Sequence, residues 1–107
     1  MAKFNVVINE PFKNCEHIYP IQQRKVKEFI EYLKENKNVK SIIIFGSSVT
    51  TACHIGSDVD IYVTLSKKEK IINKYFDFLY DLWTNFSADE NLKKEIFKKG
   101  VIVYEQK

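Results

Sequence analysis

The sequence predicts a small α/β (α+β) domain, a mixed β-sheet with flanking helices. Three observations carry that reading. Val26, Phe29, Ile30 and Leu33 recur at i, i+3, i+4 and i+7 on an otherwise charged stretch, the stripe of an amphipathic helix. Ile42, Ile43, Ile44 and Phe45 form a continuous apolar run rich in β-branched residues, as in a strand covered on both faces. Strand-like and helix-like segments then alternate to the C-terminus, which favours a mixed sheet with helices against it.

Taken in order, Phe4 to Ile8 is a short β-like stretch, followed by a polar segment closed by Pro20. The helical pattern starts at Ile21, and Asn36 and Asn38 mark its end. The strand Ser41 to Phe45 stops at Gly46-Ser47, and the small polar stretch Ser48 to Gly56 has room for a helical turn. A second strand covers Asp58 to Leu65. Ser66-Lys67-Lys68-Glu69 has the form of a capping box and predicts a helix start, and Ser87-Ala88-Asp89-Glu90 repeats it. The second of these helices turns Leu92, Ile96 and Phe97 inward and ends at Gly100 as a C′ residue, before a closing strand Val101 to Tyr104. Between the two boxes the pattern fits either one long amphipathic helix or a strand over Phe78 to Thr84; periodicity alone leaves both open.

At 107 residues the chain suits one domain, 1–107, with 1–20 as an N-terminal extension and 21–105 as the core. No apolar run approaches the roughly 20 residues of a membrane helix, and the N-terminus lacks a signal-peptide core. Membrane association is therefore not expected. Cys15 and Cys53 lie far apart with no CxxC pair, which reads as two reduced thiols in a cytoplasmic protein. Lys plus Arg total 17 against 14 Asp plus Glu, a net charge of +3. Arg24 is the one arginine, and the lysines are scattered among glutamates. That is the pattern of solvated helix faces, and nucleic acid is not the expected partner.

The segment from Ser41 to Leu65 is where chemistry concentrates. Asp58 and Asp60 are two apart on a predicted strand, so both side chains leave the same face. Like carboxylates held so close repel, and a divalent cation resolves the repulsion. Mg²⁺ is typically held by one or two carboxylates together with substrate phosphate oxygens. Gly46 and Ser47 end the preceding strand at a turn where glycine allows close backbone approach and Ser47 adds a hydroxyl. A carboxylate pair beside a phosphate-cradling turn is the equipment of nucleotidyl or phosphoryl transfer.

With these residues in view, the chain resembles the minimal nucleotidyltransferases of the DNA polymerase β-like superfamily. Their motif is G-S, ten residues, then D-x-D; here it reads Gly46-Ser47, ten residues from Ser48 to Ser57, then Asp58-Val59-Asp60. Ser57 and Ile61 also match the motif's flanks. Asp81-Leu82-Trp83-Thr84 resembles the strand that carries the family's third carboxylate, and Gly100-Val101-Ile102-Val103-Tyr104 resembles the closing strand. The resemblance covers about residues 22–105. It implies a polymerase β palm-like fold and two Mg²⁺ ions held by Asp58, Asp60 and Asp81, with Asp81 also able to help deprotonate the attacking hydroxyl. It further implies ATP as substrate, with Gly46 and Ser47 on its β- and γ-phosphates. Relatives of this size often pair with a small helical HEPN-like protein, toxin with antitoxin, and transfer AMP to it, typically on a tyrosine.

Many relatives continue the motif with arginines, whereas this chain has Ser48, Val49, Thr50 and Thr51. Lys67 or Lys68 would be the substitute for those bases. The alternative function is a catalytically weak or inactive binding module that neutralises a partner by contact. Cys15 with His17, and Cys53 with His54, offer soft ligands but no tetrahedral set, and His54 reads as a loop histidine within reach of a nucleotide.

Overall fold

A computed structural model describes residues 1–107. Helix α1 spans Pro20–Leu33, with Pro20 at its first turn, where the missing N–H is no loss. Strands β1 (Val39–Phe45) and β2 (Val59–Leu65) follow, joined by a 3-10 turn over Gly46–Val49 and a loop. Strand β3 (Tyr80–Thr84), helix α2 (Glu90–Lys99) and strand β4 (Val101–Glu105) complete the chain. The sheet order is β3-β2-β1-β4, with β1 antiparallel to both β2 and β4, and β2 parallel to β3. The mixed sheet with flanking helices is as the sequence predicts.

Alternation along the strands divides the core into two layers. Ile42 and Ile44 of β1 and Val59, Ile61, Val63 and Leu65 of β2 join Val26, Phe29, Ile30 and Leu33 of α1 in the larger cluster. Ile43 and Tyr62 point the other way and pack with Ile96 and Leu92 of α2. The central strands are thus sandwiched, which is why β1 reads as a continuous apolar run. No helix is long and apolar enough to cross a membrane.

Several local expectations are corrected. Phe4 to Ile8 forms no strand. Its backbone is taken up elsewhere: Phe4 N–H donates to the Glu16 carbonyl, Val7 N–H to Gln23 Oε1, and Gln23 Nε2 to the Asn5 carbonyl. No helix starts at Ser66. Both side chains of that capping box are captured by the α1–β1 connection: Ser66 Oγ donates to Asn38 Oδ1, as does Lys67 N–H, and Glu69 Oε1 accepts from the side chains of Asn36 and Asn38. Residues 66–79 instead cross the α1 face as an irregular segment, with Ile71, Ile72 and Phe76 buried and the Phe76 ring 4.7 Å from that of Phe29. The apolar spacing there marks core anchors, and 80–84 is strand.

At α2 the cap is Asp89, whose side chain accepts from Leu92 N–H at 2.8 Å. Ser87 Oγ accepts from Thr84 N–H instead. Phe97 is 62% exposed, not inward, and meets Tyr62 edge-on. Gly100 is extended, with φ −75°, so it is no left-handed C′ residue. Space demands it: a Cβ there would lie 2.5 Å from both Ile43 Cγ2 and the Ile96 carbonyl.

Candidate active site

The end of β1 and the start of β2 meet where the polar residues gather. Phe45 closes β1, and Gly46 turns the chain with φ +73°, a conformation L side chains rarely adopt. A Cβ at Gly46 would stand 2.1 Å from Asp60 Oδ2 and 3.1 Å from its Cγ. The glycine is therefore required twice, by backbone angle and by the carboxylate pressed against it. Ser47 follows, half-buried, its carbonyl accepting from Thr50 N–H and Oγ1.

Asp58 sits just ahead of β2 and Asp60 within it, opposite Phe45 on one side and Asp81 of β3 on the other. The strand reading of 80–84 brings Asp81 beside Asp60, so the three predicted carboxylates come to one end of the sheet. Asp60 is held above the ordinary carboxylate range, first by burial, then by the charges of Asp81 and Asp58. The six ion pairs of the chain involve none of the three. No three Asp, Glu, His or Cys side chains are grouped closely enough to hold a metal ion by themselves. The donor set fits a hard cation that takes part of its shell from ligand oxygens, as Mg²⁺ does with a nucleotide's phosphates. The sulfur and imidazole candidates fall away: Cys15 and Cys53 are buried, and His17 Nδ1 lies 2.7 Å from the Ala2 carbonyl. His54 accepts from Gly56 N–H and organises its own loop.

Two features escaped the sequence reading. Gln22 of α1 is fully buried, and its Nε2 reaches Ser48 Oγ at 3.1 Å, the Ser57 carbonyl at 3.2 Å and the Asp58 carbonyl at 3.3 Å. One amide thus ties the glycine turn to the backbone that delivers Asp58. The signal was present, since Gln22 stands four residues before Val26 on the apolar stripe, a polar group at a core position. The second is a pocket of about 640 Å³ beside Gly46, walled by Phe45, Val49 and Thr50 and by Lys98 and Lys99 from the end of α2. Lys67 and Lys68 lie beyond the opposite end of β2 from Asp60, tied to Asn38 through the Lys67 backbone. They do not reach the turn.

In comparisons with known proteins, the sequence model of the family described as polymerase beta, nucleotidyltransferase matches residues 27–107. No curated protein matches the chain.

Proposed function

Since the chain belongs to the polymerase β nucleotidyltransferase family, we propose that it is a Mg²⁺-dependent enzyme transferring AMP from ATP to a protein partner. The observation that carries this reading is the pairing of Asp60 with Asp81 across adjacent strands, with the Asp60 carboxylate packed against the Gly46 turn. Two carboxylates in register, uncompensated by any cation of the chain, are a cost to the fold and an asset only to a ligand.

Asp58, Asp60 and Asp81 would hold the divalent ions, which when bound neutralise the triphosphate and the charge developing in the displacement. The acceptor hydroxyl attacks the α-phosphorus in line. A P–O bond forms to the acceptor as the bond to the pyrophosphate oxygen breaks, and the hydroxyl proton would pass to a neighbouring carboxylate, a role for Asp81, which is exposed beside Asp60. The Gly46–Ser47 turn would face the β- and γ-phosphates. By its resemblance to the minimal nucleotidyltransferases, the acceptor would be a tyrosine of a small helical HEPN-like protein, in an antitoxin-type pair.

A second reading, a binding module that neutralises the partner by contact, is favoured by the absence of lysine or arginine between Ser47 and Ser57. Two measurements decide. Millimolar Mg·ATP should raise the melting temperature, and labelled AMP should pass from ATP to a co-expressed helical partner. Asp58→Ala and Asp60→Ala should each lower transfer at least a hundredfold while the circular dichroism spectrum is retained, and Asp81→Ala should follow them. No stabilisation by Mg·ATP, or transfer undiminished in either of the first two variants, refutes the enzyme reading.

A further inference from the structure

From Ser47 to Ser57 the chain carries no lysine or arginine, so the turn that would receive the phosphates brings no cation of its own. The fold supplies cations from elsewhere. The pocket beside Gly46 is also lined by Glu95, Lys98 and Lys99 from α2. Glu95 is answered by Lys99 at 3.5 Å, and Lys98 takes part in no ion pair.

The position of these lysines is fixed by the core. Gly100 packs so tightly on β1 that its Cβ would meet Ile43 Cγ2, and Val101 then pairs with Ile44, two residues before Gly46. The last turn of α2 therefore cannot drift from the end of β1. Gly46 stands between two sets of charged residues: Asp60 and Asp81 on one side, and on the other Lys98 with the Glu95–Lys99 pair lining the pocket. A ligand spanning the turn meets both when it is a polyanion that carries divalent cations at one end and bare phosphate oxygens at the other. The pocket's volume of about 640 Å³ is ample for a phosphate tail.

We propose that Lys98 and Lys99 bind the terminal phosphates of the nucleotide in this pocket. The assignment rests on the nucleotidyltransferase reading and deepens it. Lysine suits the task as a mobile point charge with three donors, and it is seated where an arginine-free turn leaves phosphate oxygens unmatched.

The test is calorimetric titration of the full chain with Mg·ATP, AMP and inorganic tripolyphosphate. Lys98→Gln combined with Lys99→Gln should weaken Mg·ATP and tripolyphosphate about tenfold or more, and AMP by less than threefold. Lys94→Gln, exposed on α2 outside the pocket, serves as the control and should change neither. Lys98→Gln alone makes the same distinction at smaller amplitude should the double variant fold poorly. Wild-type affinity for Mg·ATP in the double variant overturns the lysine assignment and leaves the nucleotide reading standing. Equal weakening of AMP and ATP overturns it as well, since the lysines would then not be reading the phosphate tail. A wild-type chain that binds none of the three probes removes the nucleotide reading and the assignment together.

Discussion

Gly46→Ala isolates the contact on which the site depends. The new Cβ would have to occupy space 2.1 Å from Asp60 Oδ2, at a residue whose φ is +73°. Placing a non-glycine residue in the left-handed region costs about 1–2 kcal/mol. Turning the short Asp60 side chain out of its well adds about 0.5–1.5 kcal/mol. The sum, about 1.5–3.5 kcal/mol, corresponds to a melting temperature roughly 10 °C lower for a domain of this size.

The two contributions separate in a double-mutant cycle. Asp60→Ala removes the clashing oxygen and leaves only its Cβ, 3.4 Å from the new methyl, an ordinary contact. In that background Gly46→Ala should cost only the backbone share, giving a coupling energy of about 1 kcal/mol. Differential scanning fluorimetry on the four proteins, without divalent ions, reads it directly. A Gly46→Ala cost below about 0.5 kcal/mol, or the same cost in both backgrounds, refutes the argument that the carboxylate is packed against this turn.

Two further perturbations test what surrounds the site. Asn38→Ala removes the amide that holds Lys67 and Glu69 to the α1–β1 connection and should cost about 2 kcal/mol; part of that gap depends on pH. Glu69 is held below its ordinary 4.5 by Asn38 first and Asn36 second, so its bonds contribute above that value and are lost as pH falls through the lower folded value, narrowing the gap between the two proteins' melting temperatures in acid. A gap unchanged from pH 6 to pH 3 counts against the Glu69 link. Gln22→Met should destabilise by about 1–2 kcal/mol, and Gln22→Glu by more at pH 7, because a buried carboxylate would face the Ser57 and Asp58 carbonyls. Burial would raise that carboxyl's pKa, so the excess should shrink as pH falls from neutrality toward about 4.3, and equal melting temperatures for the two variants at pH 7 would contradict the assigned contacts.

What could be read from the sequence follows the range of the forces involved. The stripe of α1 and the runs of β1 and β2 are local and survive because the core demands the same pattern. Ser66 and Glu69 obey a local rule too, yet Asn36 and Asn38, about thirty residues earlier in the chain, hold both. A capping box competes with any nearer partner, and here the tertiary partner wins. For residues 80–84 the helix and strand patterns overlap, and only the register with β2 separates them. Gly46, Asp58 and Asp60 were readable as a spacing. The lysines of α2 were not, since nothing in the chain announces that Gly100 will bring them to the turn.

The same end of the sheet gathers the features on which the candidate site depends. It carries a left-handed turn, an Asp60 oxygen filling the space a methyl would need, and two carboxylates in register. Each is tolerated because stronger neighbours determine it: the buried run Ile42 to Ile44 on one side, and Gln22 tying the turn to Asp58 on the other. Like charge grouped at one edge, with rigid support behind it, marks this edge as the candidate site. A divalent ion at Asp60 and Asp81 would convert the repulsion into binding energy, and a phosphate tail reaching Lys98 would extend that gain across the glycine. On the proposed reading, nucleotide and metal would therefore bind better together than either alone.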